Sequence, residues 1–255
     1  MIQKETKVVS INKLLLTAVL ITLTIFQAVG ACELVFASGS SEPFLWQENK
    51  RYKGITVDLF KLISADSGCK ISFQIKPWKR VLHELDKGTV DMTLAFHNIQ
   101  REKFTRYAEE GVGEFAFYLY TKPTLNKIKN IEDLFAQKKS LMYLKNWYLG
   151  KLKPKVLAHS QLSFTVMSVD QGVKLVLNNR SDALLAPEIT VLYALKKINK
   201  SDQLIKNSAQ LESFKRYVIF SKKSVSKEIY QRINMSINKI VASGKMSDII
   251  KSYTQ

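Results

Sequence analysis

Glu33-Leu-Val-Phe-Ala-Ser38, Pro43-Phe44-Leu45-Trp46, Gly54-Ile-Thr-Val-Asp58-Leu59, Pro77-Trp78-Lys79-Arg80, Gly88-Thr-Val-Asp91 and Arg101-Glu102 follow one another along residues 33–101. Residues 33–38 read as a short buried strand, and 70–75 and 90–96 as the next two strands. Between them, 56–67 and 78–87 carry apolar residues at helical spacing. Val57, Leu59, Phe60, Leu62 and Ile63 mark the first helix, and Val81, Leu82 and Leu85 the second. Gly68 and Gly88 stand where each helix should close. Strands alternating with helices predict a parallel α/β sheet. The polar loop 39–54 carries Phe44 and Trp46.

The pattern continues outward. Residues 115–120 form an aromatic-rich strand ended by Pro123, and 131–138 a short surface helix. A strand at 141–144 opens a new unit, with a helix at 169–177 capped by Ser168, a strand at 181–185 and a helix at 187–198 with Pro in its first turn. A strand at 214–220 follows, then a long helix at 225–243 with Ile229, Ile233, Ile237 and Ile240 on one face, and a last helix at 246–253. The second α/β unit therefore occupies about 124–212. The crossing strands near 115–121 and 215–220 are candidate hinges. Two lobes are expected, 32–118 plus 217–255 and 119–216.

Residues 1–31 have the form of a secretory signal: Lys4, Lys7 and Lys13, an apolar run from Leu14 to Phe26, then small residues at Ala28, Gly30 and Ala31. The run is short for a membrane span. An uncleaved N-terminal anchor is the other reading. Val29-Gly30-Ala31-Cys32 loosely matches a lipobox, in which Cys32 would be acylated. The other use of Cys32 pairs it with Cys69, the second of two cysteines. Each precedes a strand, and two parallel strands joined by a helix put their first residues side by side. An exported protein retains such a bond, so a Cys32–Cys69 disulfide is preferred. Export makes the protein periplasmic.

The net charge is +17, or +15 once the three Lys and one Glu of residues 1–31 are removed. A basic chain suggests nucleic acid, but export and the even spread of lysines argue against it. No G-x-S-x-G or H-E-x-x-H occurs, His83, His97 and His159 lack metal-ligand spacing, and two cysteines cannot build a zinc site. No catalytic residue, metal or cofactor is expected.

In this order and spacing the motifs resemble a divergent member of the amino-acid-binding family of bacterial periplasmic solute-binding proteins. Tyr217-Val-Ile-Phe220, Ile233-Asn234, Gly244-Lys245 and Asn179-Arg-Ser-Asp182-Ala183 extend the resemblance over nearly the whole mature chain. It implies an α/β, two-lobed periplasmic-binding fold (type II, a Venus flytrap) with a ligand cleft between lobes. The implied function is capture of an amino acid or related small organic ion by a monomer, for delivery to the membrane permease of an ABC importer. Arg101 matches the arginine that clamps the ligand's carboxylate, a planar fork suited to bidentate bonds. Phe96 and Asn98 replace the serine and threonine donors expected nearby. Phe44, Trp46 and Trp78 match cleft aromatics, and Arg80 lies beside them. Tyr143, Asn146, Trp147 and Tyr148 form the opposing wall, with Trp147 the ligand contact, and Glu188 stands beside the position that binds the ligand's amino group. The alternatives are a dehydratase-like enzyme on the same fold, with His97 and Glu188 as acid and base, and a ligand sensor for a membrane receptor.

Overall fold

A computed structural model describes residues 32–255, apart from Asn146 and Ser208. The leader expected over 1–31 and the Asn146 of the aromatic wall lie outside the described residues. The first half runs β1 (Glu33–Ser38), β2 (Trp46–Glu48), β3 (Arg51–Lys53), α1 (Ile55–Ser67), β4 (Lys70–Ile75), α2 (Trp78–Lys87), β5 (Met92–Phe96) and β6 (Thr105–Tyr107). Next come β7 (Glu114–Thr121), α3 (Ile131–Ala136), β8 (Leu141–Leu144), α4 (Leu152–Ala158), β9 (Ser163–Val166), α5 (Val169–Leu177), β10 (Ala183–Pro187), α6 (Glu188–Lys197) and β11 (Ile205–Lys206). The chain closes with β12 (Glu212–Ser221), α7 (Lys227–Ala242) and α8 (Lys245–Thr254).

The strands line up as β4-β1-β5-β12-β7-β10-β8-β9, with β11 on β7 and β6 on β12. β1 pairs in parallel with β4 and β5, and β8 with β9 and β10. The ten-residue β12 belongs to both halves. Its residues 216–220 pair with β5 and its residues 212–215 with β7, both antiparallel. β7 then pairs with β10 through residues 117–121. The two strands read as connections are thus the ones that pass between halves.

Burial follows the pattern that made the strands visible. β10 is buried at every position and β5 at four of five, as strands covered on both faces must be. Phe36, Phe60, Ile63, Val218, Ile233 and Ile237 share one core on the α1/α7 side. Ala37, Val81, Leu85 and Ile219 form a smaller one under α2. Leu184, Val173, Val176, Val191 and Leu195 build the core of the second half. The register Glu33↔Lys70 sets Cys32 beside Cys69. They form the expected disulfide, with Cα atoms 4.6 Å apart, so the Cys32 sulfur is engaged.

Several boundaries move for reasons of hydrogen bonding. The strand expected from 90 begins at Met92, because the Asp91 carboxylate takes the Val35 amide at 2.7 Å. The strand expected from 181 begins at Ala183, because the Asp182 carboxylate takes the amide and hydroxyl of Ser140, both at 2.9 Å. The loop 39–54 contains a hairpin, β2–β3, whose turn residues Asn49 and Lys50 both have positive φ. Residues 145–168 hold α4 and the edge strand β9. Lys- and Ser-rich sequence, Pro154 and exposed Phe164 and Thr165 hide both from a periodicity reading.

Gly54 fixes the loop that enters the site. Its φ of 121° suits glycine, and a Cβ there would lie 2.3 Å from the Phe44 carbonyl oxygen. The close approach lets the free amides of the α1 N-terminus bond outward. Ile55 donates to Pro43 and Thr56 to Phe44, both at 2.9 Å. Phe44 is held by the start of a helix.

Candidate ligand cleft

A cavity of about 320 Å³ opens at the carboxyl ends of β1 and β5 and faces the second half. This is where open α/β sheets place ligands, because the loops diverge there. The turn Ser38–Ser41 lines one side, with Phe44, Trp78, Phe96 and Arg101. Phe115, Trp147, Tyr148 and Arg216 also line the cavity. A second cavity of about 300 Å³ shares Ser40, Ser41 and Trp147 with it and continues to Glu42, Ser168, Asp170, Thr190 and Tyr193.

The aromatics form a connected wall. Phe44 stacks on Phe115 with ring centres 4.9 Å apart. Phe96 meets Phe115 edge-on at 5.6 Å and Phe214 at 5.2 Å. Trp147 packs on Phe115 and Phe117 at 5.9 and 6.0 Å. Tyr148 is 62% exposed and lies 6.5 Å from Phe96, reaching across from the second half.

Arg101 sits on a 3-10 turn, Ile99–Lys103, whose start Asn98 caps by accepting from the Gln100 amide at 2.9 Å. Asn98 therefore positions Arg101. The guanidinium donates to the Phe96 carbonyl at 3.0 Å and lies 5.4 Å over the Trp78 ring. Arg216 comes from β12, where it is the register partner of Phe96. Its guanidinium lies against the stacked pair of Phe44 and Phe115, 4.7 and 4.9 Å from their ring centres. Among the described residues it makes no hydrogen bond or ion pair. Burial alone lowers its pKa to about 10, so it stays charged at neutral pH.

Five of the nine sequence-selected residues meet at this cavity: Phe44, Trp78, Phe96, Arg101 and Trp147. The other four stand outside its lining. Trp46 packs on Tyr193 and Tyr253 at 6.1 and 6.3 Å. Arg80 pairs with Glu84 at 2.7 Å on the surface of α2. Glu188 is tied to Lys206 at 2.6 Å. Asn98 acts on the site through its cap. His97 binds Glu102 at 2.7 Å, also outside the lining. Arg216 carried no signal in the sequence, since its neighbours Glu212, Lys215 and Tyr217 read as an ordinary strand edge. The alternation that places it on the same face as Phe214 becomes usable only once β12 is known to bridge both halves.

The rim is closed by charge. Lys197 of α6 reaches Glu42 at 2.6 Å and Asp170 at 3.4 Å, joining the loop before β2 to the start of α5. The Glu42 bond raises the lysine's pKa. Among the described residues, no group of three His, Cys, Asp or Glu could hold a metal, and no helix is long and apolar enough to cross a membrane.

With this geometry the comparisons agree. The model of the bacterial extracellular solute-binding proteins, family 3, matches residues 34–255. The chain belongs to this family. A probable amino-acid ABC transporter-binding protein of Haemophilus influenzae is 23% identical over 161 residues, 62% of this chain. The match spans 61% of that relative's length. Solved structures of the same two-lobed fold include an ancestral cationic amino acid solute binding protein (16% identity, TM-score 0.74, 92% of this chain and 100% of that one). Another is the probable amino-acid ABC transporter extracellular-binding protein of Bacillus subtilis (17%, TM-score 0.69, 88% and 99%). A histidine kinase sensor domain also shares the fold (12%, TM-score 0.65, 88% and 96%). The family 3 chain is thus an α/β, two-lobed member of the type II periplasmic binding proteins, as its sequence implied.

Proposed function

We propose that this family 3 protein is an exported, periplasmic binding protein that holds a small organic ion between two lobes and delivers it to the permease of an ABC importer. The lobes are residues 32–118 with 217–255, and 119–216. Strands β7 and β12 form the hinge, and closure presents a docking surface to the permease. The observation that carries the reading is the cavity of about 320 Å³ that draws its walls from both halves and pairs an aromatic lining with guanidinium groups. Aromatic faces hold the apolar body of a ligand, and a guanidinium fork holds its acid group. Arg101, on its capped turn, is the clamp, and Trp78, Phe96 and Trp147 flank the ligand.

A thermal-shift screen of amino acids, small carboxylates, polyamines and short peptides tests this. A ligand at about 100 times its dissociation constant adds about 2.7 kcal/mol, several degrees for a protein of this size. The shift should vanish for acidic ligands in Arg101→Ala. A folded protein that responds to no compound would refute the binding reading.

A further inference from the structure

We propose that Arg216 is a second anion-binding group of this cleft, so that the ligand is a small organic acid carrying two negative groups on an apolar body. This narrows the binding reading above and rests on it.

Two arginines converge about one residue. Arg216 is the strand partner of Phe96, and Arg101 is held on the Phe96 carbonyl. Both line the same cavity, which has no carboxylate among its lining residues. Arg101 uses part of its fork on the protein and leaves the rest. Arg216 uses none of it. The stacked rings of Phe44 and Phe115 lie against its guanidinium, which answers its charge but gives its N–H groups no acceptor. Arg216 is only partly buried and lines the open cavity, so its N–H groups are left to a partner that enters there. A second acid group of the ligand is that partner.

Nearby carboxylates do not offer an alternative. Glu114 shares a small neighbouring cavity with Arg216, but accepts from the Ser213 hydroxyl and makes no ion pair with the arginine. Glu42 and Asp170, in the adjoining cavity, are both engaged by Lys197. An α-amino group placed between the two arginines would meet positive charge and no carboxylate. The aromatic wall and the volume suit a compact organic diacid, and ligand pockets of roughly 300 Å³ and more are typical for small molecules.

The test is titration calorimetry on protein purified from the full chain, as wild type, Arg216→Met and Arg216→Lys. Succinate, glutarate and phthalate serve as diacids, benzoate as a monoacid, and glutamine and arginine as amino acids. A diacid should bind most tightly to the wild type. Losing one charge-assisted pair should weaken it roughly 10- to 100-fold in Arg216→Met, with benzoate changed far less. Arg216→Lys should bind at intermediate strength, because a lysine keeps the charge but not the fork. Unliganded Arg216→Met should melt close to wild type, since the side chain gives up no hydrogen bond or ion pair.

An amino acid bound equally by wild type and Arg216→Met would overturn the diacid assignment and leave the binding reading standing. A fall in melting temperature with unchanged diacid affinity would also overturn it, making Arg216 a structural residue. If Arg216→Met does not fold, diacid affinity in Arg216→Lys equal to wild type overturns the assignment. Folded wild-type protein that binds none of the panel overturns both readings.

Discussion

Breaking the Cys32–Cys69 bond should cost this protein several kilocalories per mole. The bridge closes a loop of 37 residues that contains β1, α1 and the hairpin. Loop closure of that length removes an unfolded-state entropy corresponding to about 4 kcal/mol at 25 °C. Both cysteines are buried, at 7% and 1% exposure, so their replacement by alanine adds little new polar surface. The Arg232 guanidinium also loses the Cys69 sulfur it contacts at 2.9 Å. Urea unfolding of wild type, with and without reductant, and of Cys32→Ala/Cys69→Ala measures the effect. At about 2–4 °C per kcal/mol for a chain of this size, the melting temperature should fall by about 8–16 °C. The double variant should be insensitive to reductant. Intact mass after alkylation without reductant should show no labelled thiol. A stability change under about 1 kcal/mol, or an acylated N-terminal cysteine, would refute the reasoning.

Three further outcomes follow from named contacts. Gly54→Ala should lose about 1–3 kcal/mol from backbone strain alone, and more from the clash with the Phe44 carbonyl; a melting curve matching wild type would show the loop free to yield. At Asp182, burial pushes the carboxyl up, but the Ser140 amide and hydroxyl and the Lys139 ammonium outweigh it and hold it low. Its folded value lies below its unfolded one, so its stabilisation is complete above the ordinary aspartate range near pH 4 and is lost as pH falls through the lowered value. The gap between wild type and Asp182→Asn should accordingly be wide at pH 6 and narrow at pH 3, and a constant gap would contradict the assignment. Lys197→Met should change stability by about 1 kcal/mol or less, because the pairs it breaks are partly exposed. It should raise the ligand dissociation rate by up to about fivefold, an effect of the same size. Stopped-flow Trp fluorescence would follow this through Trp78 and Trp147, and an unchanged rate would separate the Lys197 bridge from ligand retention.

The strands and helices of the first half were legible because their burial is two-sided or one-sided in simple ways. β1 is apolar from Leu34 to Ala37 and β5 at every position but Thr93, and α2 shows a single apolar stripe ended by Gly88. The β2–β3 hairpin was not legible, because its strands are short, polar and exposed. The disulfide could be read from topology, since the place of each cysteine before its strand does not depend on side-chain detail. The cavity lining could be anticipated where a residue sits on a motif, as with Trp78 and Arg101. It could not be anticipated at Arg216, whose place in the lining depends on a strand pairing between residues more than a hundred positions apart. Trp46 and Glu188 were chosen by position along the chain, and their contacts with Tyr193 and Lys206 are set by where α6 and β11 pack.

The double membership of β12 has a consequence for how the chain assembles. Both β5 and β7 precede it, and each uses it as a neighbour. Synthesis proceeds from the N-terminus, so each half waits for residues 212–221 with an unpaired edge exposed. Neither sheet is completed first and then joined to the other; the same ten residues finish both. A chain cut before Glu212 would therefore yield two sheets with open edges rather than one intact half, and a chain still lacking that strand remains in a state that can be threaded, bound by chaperones or degraded.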